Sequence, residues 1–187
     1  MSATPDIVFF VRRRQNVPFS QTLLPEFEEE MKNTRKLLEC IPDGKLDTQP
    51  HPKSMTLAQL ATHVAQVPGW TKLLLDQDVL DLSPDMKPQV AGSKAELLNT
   101  FDQGVIDART RIRAASDDYW QTTWTFKVGG ETLLSMPRAA VMRSMIMNHM
   151  IHHRAQLGVY LRLHDVAIPG MYGPSADEKP LGAAQAA

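Results

Sequence analysis

The sequence predicts an all-α protein, an up-and-down four-helix bundle with one small β-hairpin before the last helix. Long stretches carry apolar residues at helical spacing, and segments that contain Pro and Gly separate them. Two of these stretches begin with a hydroxyl residue followed three positions later by Gln or Glu, the capping box of a helix N-terminus. Two short stretches flank Gly129-Gly130, a spacing typical of a two-residue hairpin turn.

Length and composition are those of one globular domain. The chain has 187 residues, of which 43% are hydrophobic and 22% are charged, and its formal net charge is −1. These values lie near the averages for globular proteins. We expect a single domain over residues 1–187, with an N-terminal extension at 1–17 and a flexible C-terminal tail at 179–187.

Several classes of function are disfavoured by composition. The balanced charge gives no general electrostatic reason to bind nucleic acid, despite the cluster Arg12-Arg13-Arg14. No apolar stretch approaches the ~20 residues of a membrane span, and the run at 7–11 is too short for a signal peptide. Cys40 is the only cysteine, and its apolar surroundings favour packing over nucleophilic catalysis. We therefore expect a cytoplasmic protein with no nucleic-acid or membrane partner.

The first helix is predicted to run through Glu26–Ile41, with Ser20 as its N-cap. Pro25 is tolerated near the first turn of such a helix. The run Glu28-Glu29-Glu30 favours a solvated face over a set of metal-binding carboxylates. Pro42-Asp43-Gly44 ends the helix.

The second helix begins at the capping box formed by Thr56 and Gln59. Its apolar stripe consists of Leu57, Leu60, Ala61, Val64 and Val67. Pro68-Gly69 should kink or break this helix, although Trp70–Leu75 can continue as another turn or two. Residues 76–92 are interpreted as a polar linker because they hold three Pro and Gly residues.

The third helix, the hairpin and the last helix follow in that order. A capping box between Ser93 and Glu96 opens the third helix, which should reach about Ala115. Trp124–Val128 and Glu131–Met136 are the expected strands of the hairpin, which should pack on the bundle because a lone hairpin is only marginally stable. Pro137 then suits the first position of the longest helix, expected from Arg138 to about His164.

The last helix carries a pair of histidines with the spacing of a chelate. His149 and His153 lie one turn apart, within the stripe that is expected to face the core. His152 lies at the edge of that stripe, which makes it a poorer partner. A zinc-protease motif is excluded because Met150 stands where that motif needs a Glu base.

His63 lies within the apolar stripe of the second helix, between Leu60 and Val67. Burying imidazole rings without partners is costly, and a divalent metal removes that cost because it takes their lone pairs. The alternative is that these histidines are hydrogen-bonded core residues, and spacing alone does not bring His63 to the pair. His51 and His164 lie in a loop and at a helix end, where solvated side chains are expected.

The last helix resembles the signature helix of the DinB/YfiT-like superfamily. The matching stretches are 148–157, 159–162, 168–178 and 57–64. The resemblance implies a four-helix bundle in which one His of the second helix and two of the last helix hold a metal. Carried to this chain, the ligands are His63, His149 and His153. Ala155 departs from the family pattern, in which Gly is common, at a position expected to be exposed.

The same resemblance implies a chemistry. Relatives resemble transferases that use a low-molecular-weight thiol, so the leading hypothesis is metal-dependent transfer of such a thiol to an electrophilic small molecule. Zinc and nickel both suit imidazole ligands. A metal-dependent hydrolase using a metal-bound hydroxide and a non-catalytic metal-binding stress protein are the alternatives. A homodimer is also plausible from the resemblance. Gln156 and Tyr160 lie on the same helix face and are candidates for substrate contact, hydrogen bonding to a ligand or packing.

Overall fold

A computed structural model describes residues 17–178 of the chain. The predicted extension at 1–17 lies outside the described residues except for Val17, and the predicted tail at 179–187 lies wholly outside them. In chain order the elements are α1 (Phe19–Glu39), a 3₁₀ turn (Asp43–Lys45), α2 (Leu57–Gln66), a second 3₁₀ turn (Val67–Gly69), α3 (Trp70–Asp76), β1 (Val79–Leu82), α4 (Lys94–Ala114), α5 (Asp117–Gln121), β2 (Thr123–Val128), β3 (Glu131–Pro137), α6 (Arg138–Val141), a π-helical segment (Met142–Asn148) and α7 (His149–Arg162).

The protein is mostly helical, and α1, α2, α4 and α7 enclose its core. Helix α1 packs against α4 and α7, and α2 packs against the same two helices. Consequently α1 and α2 stand at opposite corners of the four. This order differs from the predicted up-and-down order, in which consecutive helices are neighbours. The connection 40–56 is long enough to cross the end of the bundle and allows this exchange. Within residues 17–178, no helix is both long and apolar enough to cross a membrane.

The predicted caps of α2 and α4 are confirmed. Thr56 Oγ1 accepts a hydrogen bond from the Gln59 amide at 3.2 Å, and Gln59 Oε1 accepts one from the Thr56 amide at 2.8 Å. Ser93 Oγ likewise accepts from the Glu96 amide at 3.2 Å, but Glu96 Oε2 accepts from the Gly92 amide at 2.9 Å rather than from the Ser93 amide, so the cap of α4 is present without the second half of the predicted box. The predicted break at Pro68-Gly69 is also confirmed, because a 3₁₀ turn there separates α2 from α3. The residues behind these predictions are neighbours in the sequence, and hydrogen bonds between neighbours are enough to form the caps and the turn.

The prediction for the start of α1 is wrong. The helix begins at Phe19 rather than after Ser20, and Pro25 lies inside it rather than in its first turn. No side chain of the same segment caps the helix; instead Asp117 Oδ1 accepts from the Phe19 amide at 2.8 Å. A residue from a distant part of the chain therefore satisfies an amide that the sequence pattern assigned to a local cap.

The sheet has three strands in the order β1-β2-β3, one more than the sequence indicated. Strands β2 and β3 pair antiparallel, and Gly129 and Gly130 between them have φ angles of 58° and 85°. Strand β1 was predicted to be linker, but it pairs parallel with β2. Its Asp81 accepts from the Gly130 amide at 3.1 Å, so β1 also stabilises the turn between β2 and β3.

The last helical rod is not one α-helix as predicted, because a seven-residue π-helical segment lies between α6 and α7. At the start of this helical rod, in the first position of α6, Arg138 is fully buried. Its guanidinium donates to the carbonyls of Leu74 and Gln77 and to Asp78. It also lies over the Tyr119 ring, 4.4 Å from the centroid. This one side chain therefore fixes the end of α3 to the start of the rod.

A buried ion pair joins α7 to α1. Arg154 is 2% exposed, and its Nη1 lies 2.7 Å from Glu30 Oε2. The Tyr172 hydroxyl accepts from Arg154 Nη2 at 2.7 Å and donates to Glu30 Oε1 at 2.8 Å. The expectation of a solvated acidic run is therefore wrong for Glu30, because its counter-ion comes from a distant helix.

The turn between α2 and α3 touches α4 at two glycines. A Cβ atom on Gly104 would lie 2.8 Å from the Gly69 amide nitrogen and 3.2 Å from the Gly69 Cα. Both atoms belong to backbone, so neither can move aside as a flexible side chain would. The close approach therefore requires glycine at position 104, in the interior of α4.

We expect Gly104→Ala to destabilise the protein by about 1–3 kcal/mol, the usual cost of overpacking. Gly158→Ala is the matched control, because Gly158 also lies inside a long helix but its added Cβ meets only Ile168 Cδ1, at 3.9 Å. In that variant the helix propensity of Ala should give a gain of about 0.5–1 kcal/mol. Urea unfolding measures both, and equal effects of the two substitutions would contradict the close contact.

Candidate metal centre

Three histidine rings converge between α2 and α7. His63 projects from α2, and His149 and His153 project from the first two turns of α7. Each offers one ring nitrogen, and these three nitrogens lie within 4.8 Å of one another. His63 Nε2 and His149 Nε2 are 2.7 Å apart. The structure therefore brings together the three residues that the resemblance named as ligands.

The rings lie at the edge of the core rather than within it. The buried face of α7 consists of Met150, Arg154, Leu157 and Leu161. His149 and His153 flank this face and turn towards α2, and all three histidines are half-buried. The sequence predicted that both histidines lie within the stripe that faces the core. The wider turn of the π-helical segment changes the angle at which α7 begins, and counting at α-helical spacing does not allow for this change.

All three rings are held uncharged. Burial first, and then the neighbouring rings of His153 and His149, which would repel a second charge, together lower the pKa of His63 to about 4. Burial is also the largest cause of the lowered pKa of His149 and of the lowered pKa of His153. An uncharged imidazole has the free lone pair that a metal ligand needs, so near neutral pH the cluster is ready to bind a cation.

Gln156 fixes the orientation of the His153 ring. Nδ1 of His153 donates to Gln156 Oε1 at 2.8 Å, one turn along the helix. This hydrogen bond places the proton on Nδ1 and leaves the lone pair on Nε2. Partners of this kind orient metal-binding histidines in many sites. Tyr160, the other residue singled out on this face, instead donates to the Met55 carbonyl at 3.0 Å and holds the loop before α2.

Trp70 completes the surroundings of the cluster. Its ring centroid lies 5.3 Å from that of His63 and 5.4 Å from that of His149, both in edge-to-face geometry. From the sequence, Trp70 was predicted only to lie in a continuation of the second helix. The sequence did contain a signal that Trp70 lies near His63. Trp70 follows His63 by two helical turns, so both residues lie on the same side of the helical segment formed by α2 and α3.

The remaining histidines lie outside the cluster. His152 is exposed beside His153, with ring centroids 4.8 Å apart. His51 is exposed in a loop, where its Nδ1 accepts from the Lys53 amide at 3.1 Å. His164 is half-buried at the end of α7, and its Nε2 donates to Thr48 Oγ1 at 2.8 Å. The expectation of a solvated side chain is met by His51 and is wrong for His164.

The other candidate groups do not join the cluster. Glu28 pairs with Arg109, with 2.7 Å between Oε2 and Nη2. Cys40 is half-buried, and burial raises the pKa of its thiol, which favours the uncharged form. Its Sγ donates to the Lys36 carbonyl at 3.3 Å. Both observations agree with packing rather than catalysis for this thiol.

The cluster fits one divalent ion of the kind that prefers imidazole. Zinc and nickel are bound by neutral His nitrogen, at about 2.0–2.1 Å for zinc. Three uncharged rings from two rigid helices supply such ligands within a space of a few ångströms. Three protein ligands leave room for a further ligand, which distinguishes a reactive site from a closed structural one.

Comparison with known proteins bears on the family and the fold of this chain. The model of the DinB family matches residues 14–181. A Bacillus subtilis protein named YrdA, described as uncharacterized, is 26% identical over 159 residues, covering 83% of this chain and 89% of its own. A DinB-like protein from Bacillus cereus superposes with a TM-score of 0.66 at 19% identity, covering 83% of this chain and 98% of its own. The DinB-like protein YjoA of Bacillus subtilis superposes with a TM-score of 0.61 at 15% identity, covering 80% of this chain and 96% of its own.

The metal-free protein should lose stability as the pH falls from about 6.5 towards 4. Unfolded His63 takes up a proton near its ordinary pKa of 6.5, whereas the folded residue resists protonation down to about 4. Protons therefore stabilise the unfolded state between these two pH values. The loss of folding stability caused by His63 is absent above this window and grows as the pH falls through it. His63→Gln should show a shallower decline in urea midpoint over the same pH range.

The matched control is His51→Gln, because His51 is exposed and lies outside the cluster. Its urea midpoints should fall with pH as steeply as those of the unsubstituted protein. An equally steep decline in His63→Gln would contradict the assignment of this pH dependence to the buried ring.

Proposed function

We propose, on the premise that this chain belongs to the DinB family, that it is a metal-dependent transferase that joins a low-molecular-weight thiol to an electrophilic small molecule. The observation that carries the proposal is the convergence of three uncharged ring nitrogens between α2 and α7. We assign His63, His149 and His153 as ligands of one zinc or nickel ion.

The chemistry follows from what the cluster contains and from what it lacks. A bound divalent ion would supply the charge that lowers the pKa of a thiol and so favours the thiolate, the reactive form. Among the described residues, no carboxylate belongs to the cluster or hydrogen-bonds to its three rings. Met150, which follows His149, is buried and apolar. Within the described residues, the cluster therefore holds no carboxylate base to activate water, which favours a nucleophile that ionises readily.

In the proposed reaction, the thiol releases its proton to solvent and its sulfur forms a bond to the electrophilic carbon. The bond from that carbon to the leaving group breaks, and the leaving group departs with the electron pair. The residues of this chain would hold the ion and orient its ligands. Gln156 keeps the lone pair of His153 directed into the cluster, and the rigid helices keep the rings together before substrate arrives.

The metal content of purified, untagged protein is the first test. We expect about one zinc or nickel per chain, measured by elemental mass spectrometry, and loss of the metal in His63→Ala, His149→Ala and His153→Ala. His152→Ala is the matched control, because His152 is exposed and outside the cluster. This variant should keep the metal. Absence of metal after incubation with zinc and nickel, or equal content in all variants, would contradict the assignment.

Turnover then separates the functional alternatives. The loaded protein should conjugate small thiols to electrophiles with a departing halide, such as alkyl or aryl halides, and His153→Ala should lose this activity together with the metal. Hydrolysis of esters or amides without added thiol would instead indicate the hydrolase. Bound metal without either activity would indicate a non-catalytic metal-binding protein. The homodimer and the cytoplasmic location stay predictions.

Gln156→Leu should weaken metal binding by about 10–100-fold, because loss of the hydrogen-bond partner of a ligand typically costs this much. Competition with a chelator measures the affinity. Gln156 is exposed, so the urea midpoint of the metal-free variant should change little. Gln103→Leu, at an exposed position of α4, is the control for a polar-to-apolar change and should bind metal normally. Equal affinities in the two variants would show that Gln156 does not orient His153.

A further inference from the structure

Trp70 differs from the other two tryptophans of the chain. Trp120 and Trp124 are buried in the core, at 0% and 6% exposure. Trp70 is half-buried: its ring packs against the core and contacts His63 and His149 edge to face. The part of the indole that stays exposed is therefore an aromatic surface beside the histidine cluster.

The backbone around Trp70 is held firmly. The preceding Gly69 lies against Gly104 of α4, where backbone atoms meet too closely to admit a side chain. After Trp70, the Leu74 carbonyl accepts from buried Arg138, and the Leu75 carbonyl accepts from the Tyr119 hydroxyl at 3.0 Å. Helix α3 is thus anchored at both ends, which fixes the backbone position from which the indole projects towards the histidines.

The histidines beside Trp70 have no ion-pair partner among the described residues. Across residues 17–178, no salt bridge or hydrogen bond joins His63, His149 or His153 to a carboxylate, a lysine or an arginine. Burying a charged group of a ligand without a partner is costly, whereas a flat apolar group gains from an aromatic contact. The side of the site formed by Trp70 is therefore suited to an uncharged group with a planar apolar surface.

We infer that Trp70 forms a subsite for a planar, uncharged part of the substrate, next to the ion held by His63, His149 and His153. The inference rests on the proposed function and narrows it: of the two reactants, at least one carries an aromatic or conjugated group. Trp70 is then a specificity-determining residue that touches substrate and makes no bond to the metal.

The test compares two thiols on the cobalt(II)-substituted protein, in which ligand binding changes the visible absorption. Benzyl mercaptan carries an aromatic ring, and 2-mercaptoethanol does not. The unsubstituted protein should bind benzyl mercaptan about tenfold more tightly, the scale of one good aromatic contact. Trp70→Leu should reduce that preference to about threefold or less, with its affinity for 2-mercaptoethanol and its cobalt content unchanged. Trp70→Phe, which keeps an aromatic ring, should retain most of the preference.

The outcomes separate this inference from the proposed function. Failure of the unsubstituted protein to take up cobalt would overturn both. Normal cobalt content with an unchanged preference in Trp70→Leu would overturn the subsite alone, as would a loss of the preference in Trp70→Phe. Loss of cobalt in Trp70→Leu would assign Trp70 to the metal site itself and would likewise overturn the subsite.

Discussion

The central constraint on this structure is that three imidazole rings face one another at the edge of an apolar core without a compensating charge. Each ring resists protonation, because burial and the neighbouring rings both disfavour a positive charge. A protein that needed only stability would fill this space with apolar side chains at lower cost. This arrangement supports the proposal that the cluster binds a cation, and the surrounding helices hold its three rings together.

Several distant contacts fix the two helices that carry the rings. Arg154 and Glu30 join α7 to α1 through a buried ion pair, and Arg138 fixes the start of the last helical rod to the end of α3. The close contact between Gly69 and Gly104 fixes the position of the start of α3 relative to α4, and with it the backbone position of Trp70. The π-helical segment immediately before His149 sets the angle at which α7 presents its histidines. Such segments occur frequently at functional sites, and here one directly precedes two candidate ligands.

Local signals in the sequence predicted local structure well. The caps at Thr56 and Ser93 involve neighbouring residues, and both are confirmed. Features that depend on distant partners were missed: β1 needs β2, and the start of α1 needs Asp117. The spacing of His149 and His153 indicated a chelating pair, but only the resemblance linked His63 to it. Counting at α-helical spacing could not reveal the π-helical segment. A π-helical turn contains more residues than an α-helical turn, but the apolar character of the residues does not distinguish the two.

X-ray absorption spectroscopy of the zinc-loaded protein tests the central claim most directly. The account predicts nitrogen ligands at about 2.0–2.1 Å, with outer-shell scattering from three imidazole rings and no sulfur before a thiol is added. Because Cys40 is the only cysteine and lies outside the cluster, a thiolate of the protein in the first shell would have no source at this site. A first shell that contains sulfur, or that lacks imidazole scattering, would contradict the assignment of His63, His149 and His153 as the ligands.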